Sequence, residues 1–197
     1  MADSKNVLAA SIAEDNESFF SAPLGTPLPT DAVEVFDTDF VGHGWLGDEG
    51  VKNKIQRDTT DHYDLSGQLI KTTQDKYSET VTLVFCETNP EVLKTIFGDD
   101  NVDVDYTSGH LKMTVRHDDK PLDRKSFLVR LVEGQKTTLH VIPEGQVTEI
   151  EEIPYSSTDL TVYGATVKCY KPADGEQPDN PKAVNTYYDF ADVLDGS

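Results

Sequence analysis

The chain has 197 residues, with 36 acidic against 17 basic side chains and a formal net charge of −19. That sign opposes any binding that gains affinity by neutralising phosphates with Lys and Arg, so a chain that meets DNA with this surface is expected to repel it. No secretory leader and no run of about 20 apolar residues stands in the sequence, so no membrane partner is expected. Two widely spaced cysteines, Cys86 and Cys169, each sit in an apolar run and read as reduced core thiols of a cytoplasmic product.

Residues 1–30 read as an N-terminal arm. A short strand is conceivable over 7–13, but three prolines and a glycine between Ser21 and Thr30 argue against a central strand or a helix. From Val33 the pattern turns to period two. Val33, Val35 and the pair Phe40-Val41 are expected to open a sheet, which Gly42-His-Gly-Trp-Leu-Gly47 interrupts. Val51–Arg57 alternates, and the polar stretch Asp58–Gly67 comes next, so 42–67 reads as a long inter-strand loop. Tyr77–Cys86 is the strongest strand, with Val81, Leu83 and Phe85 on one face and Thr80, Thr82 and Val84 on the other.

Asn89–Gly98 is the one convincing helix. Asn89 is placed to cap it, Pro90 suits the first turn and Gly98 stops it. Val92, Leu93, Ile96 and Phe97 share one apolar face, expected to pack on a sheet as structure rather than as a site. Strands are expected again over Val102–Tyr106, His110–His117, Ser126–Glu133, Lys136–Ile142, Gln146–Ile150 and Leu160–Tyr170, with Glu133-Gly134-Gln135 as a hairpin turn. Residues 172–197 form a tail whose Tyr187, Tyr188, Phe190 and Leu194 are able to dock as an apolar cluster. The fold class is therefore mainly β, an antiparallel β-sandwich or barrel over residues 31–171 with one flanking α-helix, an N-terminal arm and a long loop.

The tempting motifs lack their context. Gly42-x-Gly44-x-x-Gly47 spells a dinucleotide fingerprint, yet no βαβ unit surrounds it. Asp99, Asn101 and Asp103 imitate the start of a calcium loop, but Val104 and His110 stand where glycine and a bidentate glutamate are required. The five histidines show no zinc spacing, and His110 and His117, seven apart, fall on opposite faces of one expected strand. No nucleophile elbow accompanies the serines. The expectation is a structural protein with no cofactor and no metal, not an enzyme.

An ordered set of segments resembles something more specific. Gly47-Asp-Glu-Gly50-Val51, Ile55-Gln-Arg57-x-Thr59-Thr60-Asp61, Gly67-Gln-Leu-Ile70, Glu79-x-Val81-Thr-Leu83 and Glu87-Thr-Asn89, over about residues 20–170, resemble the major tail tube proteins of long-tailed, non-contractile phages of actinobacterial type. His62–Gly67 departs from the family's aromatic, glycine-rich tip. The resemblance implies a virion tail protein forming hexameric rings that stack into a tube, through which DNA passes without sequence-specific binding. The implied partners are further copies of the chain, a tape measure protein, a tail terminator and baseplate or tip proteins.

On that footing Trp45, Arg57, His62, Tyr63 and Leu65 are candidate inter-ring contacts. Carboxylates two apart on a strand share a face, which makes Asp103 with Asp105, and Glu149 with Glu151, candidates for lining the bore. Two other readings stand beside this one: another phage or secretion-system ring component such as a tail terminator, and a monomeric β-sandwich binding module.

Overall fold

The computed structural model describes residues 7–9, 11, 17–172 and 183–190. Among the described residues ten strands run in chain order: β1 Phe19–Pro23, β2 Val41–Gly42, β3 Lys52–Tyr63, β4 Leu69–Phe85, β5 Val102–Asp105, β6 Lys112–Val115, β7 Lys125–Glu133, β8 Lys136–Ile150, β9 Tyr163–Tyr170 and β10 Asn185–Phe190. One helix, α1, spans Pro90–Phe97. All strand pairs are antiparallel: β5 pairs β6 as a small separate sheet, and the rest form one large sheet in the order β2-β1-β7-β8-β9-β4-β3.

The long strand β8 holds this sheet together. Its first half lies between β7 and β10, and from Glu144 onward β9 takes over the edge that β10 leaves. The two expected strands at Lys136–Ile142 and Gln146–Ile150 are therefore one, continuous through Pro143-Glu144-Gly145. The sheet curls around a single large core, to which β1, β7 and β8 bring Phe19, Phe127, Val129 and Ile142 while β4 and β9 bring Val81, Leu83, Phe85, Ala165 and Val167. Gly145 sits where these layers meet. A Cβ there would lie 2.7 Å from Phe127 Cδ2 and 2.9 Å from Val167 Cγ1, and both neighbours are core side chains with nowhere to move. Gly145→Ala is expected to cost about 1–3 kcal/mol through overpacking. A denaturant midpoint equal to wild type would show that this crossing has slack.

The helix is as expected. Asn89 Oδ1 accepts from the Val92 N–H at 2.9 Å, Glu91 pairs with Lys94, and Val92, Leu93 and Ile96 are buried in the main core. Phe97 is only half-buried and packs on His117, with ring centroids 4.7 Å apart. The β4 alternation is also as expected, with Val81, Leu83 and Phe85 inward. Glu133 faces Lys136 across the hairpin turn at Gly134-Gln135.

Four expectations give way. Phe19–Pro23, placed in the N-terminal arm, is a buried strand paired with β7 from Phe19↔Val129 to Pro23↔Lys125. The proline-rich stretch expected to be free of strand from Ser21 gives its first three residues to β1, with Pro23 at the end; residues 24–40 form no strand and cover the outer face of β1, β7 and β8 with Leu28, Ala32, Phe36 and Phe40. Val33 and Val35 open no sheet: Val35 is 92% exposed, and the strand begins only at Val41. The expected strand over His110–His117 shortens to Lys112–Val115, so His110 and His117 lie outside it and share no strand. The loop 42–67 contains β3 over Lys52–Tyr63, so it is not one continuous loop. Of the expected apolar cluster in the tail, Tyr187, Tyr188 and Phe190 lie on β10 against β8, while Leu194 falls outside the described residues.

Candidate functional site

Strands β3 and β4 pair along their whole length, from Lys52↔Thr82 to Tyr63↔Leu69, but β9 accompanies β4 only from Glu79 to Phe85. Outward from Ser78 the two strands have no third partner. Gln56–Tyr63 therefore stands out as a two-stranded ribbon, roughly 25 Å long at about 3.3 Å per residue. Every residue of β3 is exposed, as is nearly every residue of β4 from Leu69 to Tyr77.

Local chemistry explains why polar residues form strands here. Thr72 donates to Asp61 at 2.6 Å, Thr60 donates to Asp75, and His62 Nε2 meets Thr73 Oγ1 at 3.0 Å. These cross-strand pairs hold a ribbon that buries nothing. At the tip, Asp64 Oδ1 accepts from the Ser66 hydroxyl and from the Ser66 and Gln68 N–H groups, and Gly67 supplies the left-handed residue at φ 83°. The Ser66 hydroxyl, with the Gln68 N–H behind it, holds the Asp64 carboxyl below its usual range.

An isolated two-stranded hairpin is marginal in water, and this one also exposes Tyr63, Leu65, Leu69, Ile70 and Tyr77, with Ile55 exposed at its root. A long ordered ribbon of that kind is the mark of a contact surface. Residues 52–78, the ribbon with its root, are close to neutral in an acidic chain, with Lys52, Lys54, Arg57, Lys71 and Lys76 against Asp58, Asp61, Asp64 and Asp75.

The candidate contact residues divide. Arg57, His62, Tyr63 and Leu65 lie on the ribbon or its tip, Arg57 over the Tyr77 ring at 5.6 Å and Leu65 fully exposed. Trp45 is not on it. Half-exposed, Trp45 lies beside the sheet next to the Leu46↔Phe85 bridge, its N–H donating to Glu87 Oε1 at 2.9 Å. The acids divide too. Asp103 pairs with Arg116, and Asp105 accepts from the Thr107 N–H at 2.8 Å, both on the small β5–β6 sheet. Glu149 is the last residue but one of β8 in the large sheet, and Glu151 lies just beyond the strand with its N–H on Gly164 O. All four carboxylates are exposed. Asp99 of the imitation calcium loop pairs with Lys125, and no metal-holding group of three ligand residues forms among the described residues.

Two buried polar residues carry no signal in the sequence pattern strong enough to single them out. His43 is fully buried, stacked on Phe85 and edge-on to Phe19 at 5.0 Å. Its Nδ1–H donates to Val41 O at 3.1 Å, and its Nε2 accepts from the Thr95 hydroxyl of α1 at 2.7 Å. Burial lowers its pKa to about 4. The glycines of Gly42-His43-Gly44 thus flank a core histidine rather than a phosphate. Glu79, also buried, sits at the root of the ribbon. A polar residue inside the β4 alternation is the one available hint, and in a chain this acidic it does not stand out.

The family described as phage tail tube protein matches residues 2–179. No curated protein matches. Among solved structures, the chain is similar to the anti-feeding prophage cap, a tube-terminating cap, at 10% identity and TM-score 0.46, covering 96% of this chain and 100% of that one. It is similar to a sheath-tube complex chain of an extracellular contractile injection system at 12% identity and TM-score 0.43, covering 89% and 90%. It is also similar to a chain of the native gene transfer agent virion at 10% and TM-score 0.44, covering 91% and 99%. Likeness at this level decides nothing about role. The family match, which spans most of the chain, does decide: the chain belongs to the phage tail tube protein family.

Proposed function

We propose that the chain is the repeating subunit of a tail tube of the long-tailed, non-contractile type, forming hexameric rings that stack into the conduit for DNA. Its work is mechanical and uses no cofactor. The β3–β4 ribbon carries this reading, because a ribbon with both faces in water and five large apolar or aromatic side chains exposed needs a neighbour to cover it. A second copy is the natural neighbour. Residues 52–78 are close to neutral, with five basic against four acidic side chains, so they approach a second acidic copy with little repulsion. Arg57, His62, Tyr63 and Leu65 make the contact, and Trp45 contributes from the body. Such head-to-tail contacts extend until a terminator or tip protein caps them, with a tape measure protein setting the length.

Within the bore, exposed carboxylates keep phosphates off the wall over the ~8 Å that salt leaves unscreened. Asp103, Asp105, Glu149 and Glu151 are the acids assigned to it. Arg116 offsets the charge of Asp103, so Glu149 and Glu151 are expected to weigh more.

Replacing residues 57–76 by a short turn should leave a folded β-rich body that sediments as a monomer, while the intact chain forms tubes visible by negative-stain microscopy on concentration. Tubes from the shortened chain would overturn the ribbon's role. Bare rings from the intact chain would favour a terminator-like component, and a persistent monomer a binding module. Averaged images of the tubes would locate Glu149 and Glu151, and an outward position would remove them from the wall.

A further inference from the structure

The ribbon leaves the body at one residue. Glu79 is the last position of β4 held by β9, opposite Cys169, and one step outward only β3 remains. Its side chain points to the core face with Val81 and is 3% exposed. A carboxylate so placed is costly unless its oxygens are satisfied. Both are: Asn53 Nδ2 of β3 donates to Oε1 at 2.9 Å, and the Tyr77 hydroxyl of β4 donates to Oε2 at 2.6 Å.

The two donors straddle the root. In register, Asn53 faces Val81 on the body side of Glu79, and Tyr77 faces Arg57 on the outer side. The Arg57 guanidinium then covers the Tyr77 ring. The bond to Glu79 also pushes the Tyr77 phenol up to about 12, so that it stays a donor throughout the working range.

An apolar side chain at position 79 would fill the same space without direction. Charge-assisted hydrogen bonds are directional, and here one body residue receives one from Asn53, on the body side of the root, and one from Tyr77, on the ribbon side. We infer that Glu79, gripping Asn53 and Tyr77, is a positioning residue that fixes the angle at which the β3–β4 ribbon leaves the body, and so presents it to the next copy pre-aimed. The inference rests on the ribbon being the contact between copies. Pre-aiming matters there because a ribbon free to swing pays its ordering entropy at every addition of a subunit.

The test reads the angle before any assembly occurs, so its outcome is separate from that of the tube reading. Nitroxide labels at Leu65→Cys on the tip and Val35→Cys on the body, in a Cys86→Ala background, report the tip-to-body distance distribution in dilute monomer. Wild type should give one narrow distribution. Glu79→Ala should raise the population of off-axis ribbon positions by roughly tenfold, the scale that one hydrogen bond to a charged group controls. Asn53→Ala with Tyr77→Phe removes the same bonds from the exposed side, which covers the case in which Glu79→Ala fails to fold. Unchanged distributions in the folded variants would overturn the positioning role. Assembly then gives the consequence: folded variants with broadened distributions should need more protein to form tubes. Wild-type assembly by a swinging ribbon would overturn the claim that its aim matters, while leaving the ribbon's contact role to the replacement experiment.

Discussion

Phe19→Ala is expected to destabilise the protein by about 3–5 kcal/mol, the range for truncating a fully buried phenylalanine. Phe19 is 0% exposed at the centre of an aromatic cluster, its ring centroid 5.2 Å from Phe85, 5.4 Å from Phe127 and 5.0 Å from His43. Removing it opens a void that three rings from β4, β7 and the segment after β2 are unable to close together. Against a total stability of about 5–15 kcal/mol, one such change leaves little margin. By the same argument a chain lacking residues 1–20 loses Phe19 and Phe20 and should not fold cooperatively, although an arm would be dispensable. Urea denaturation of both variants checks this. A truncated chain with the wild-type midpoint would show that β1 is not part of the core.

The second large effect depends on pH. His43 has a folded pKa of about 4 against 6.5 when free. As pH falls from 6.5, the unfolded chain takes up the proton first and is favoured, until the folded state also protonates near 4. The histidine's contribution is thus fully present above 6.5 and lost on acidification through that window, by about 3 kcal/mol in all. Half-buried His140, whose pKa desolvation also lowers, acts in the same direction. Carboxylates held below their usual range, such as Asp64 and Asp103, act mainly below it. Urea midpoints measured between pH 7 and 4.5 should fall in wild type and fall less steeply in His43→Asn, whatever the starting stability of the variant. Parallel slopes would mean that His43 protonates without disturbing its pocket.

Whether an element is legible in the sequence depends on how local its interactions are. The helix is legible because cap, proline, apolar face and stop all lie within ten positions. The β4 face is legible for the same reason. Phe19 is hidden because its partner Val129 is remote, and the nearby prolines outweigh it. The outer ribbon reads as loop because its Thr-Thr-Asp composition lacks an apolar face; a strand with no core to face shows no such alternation. Glu79 is invisible among 36 acids, since burial and not identity sets it apart. The candidate contact residues on the ribbon come from resemblance, and the register explains why Trp45 does not join them.

The pairing of β1 with β7 also fixes a timetable. Phe19 and Val129 are partners about 110 positions apart, and at roughly 5–20 residues per second of synthesis the first strand waits on the order of 10 seconds for its mate. During that interval the β3–β4 ribbon, whose contacts are all short-range, is free to form while the body that must carry it is incomplete. If the ribbon is the contact proposed above, a nascent chain shows it before it has a finished surface to receive another. Assembly then has to be held back until release, and the acidic residues that crowd the first fifty positions, ten against a single lysine, give emerging chains a mutual repulsion from the outset.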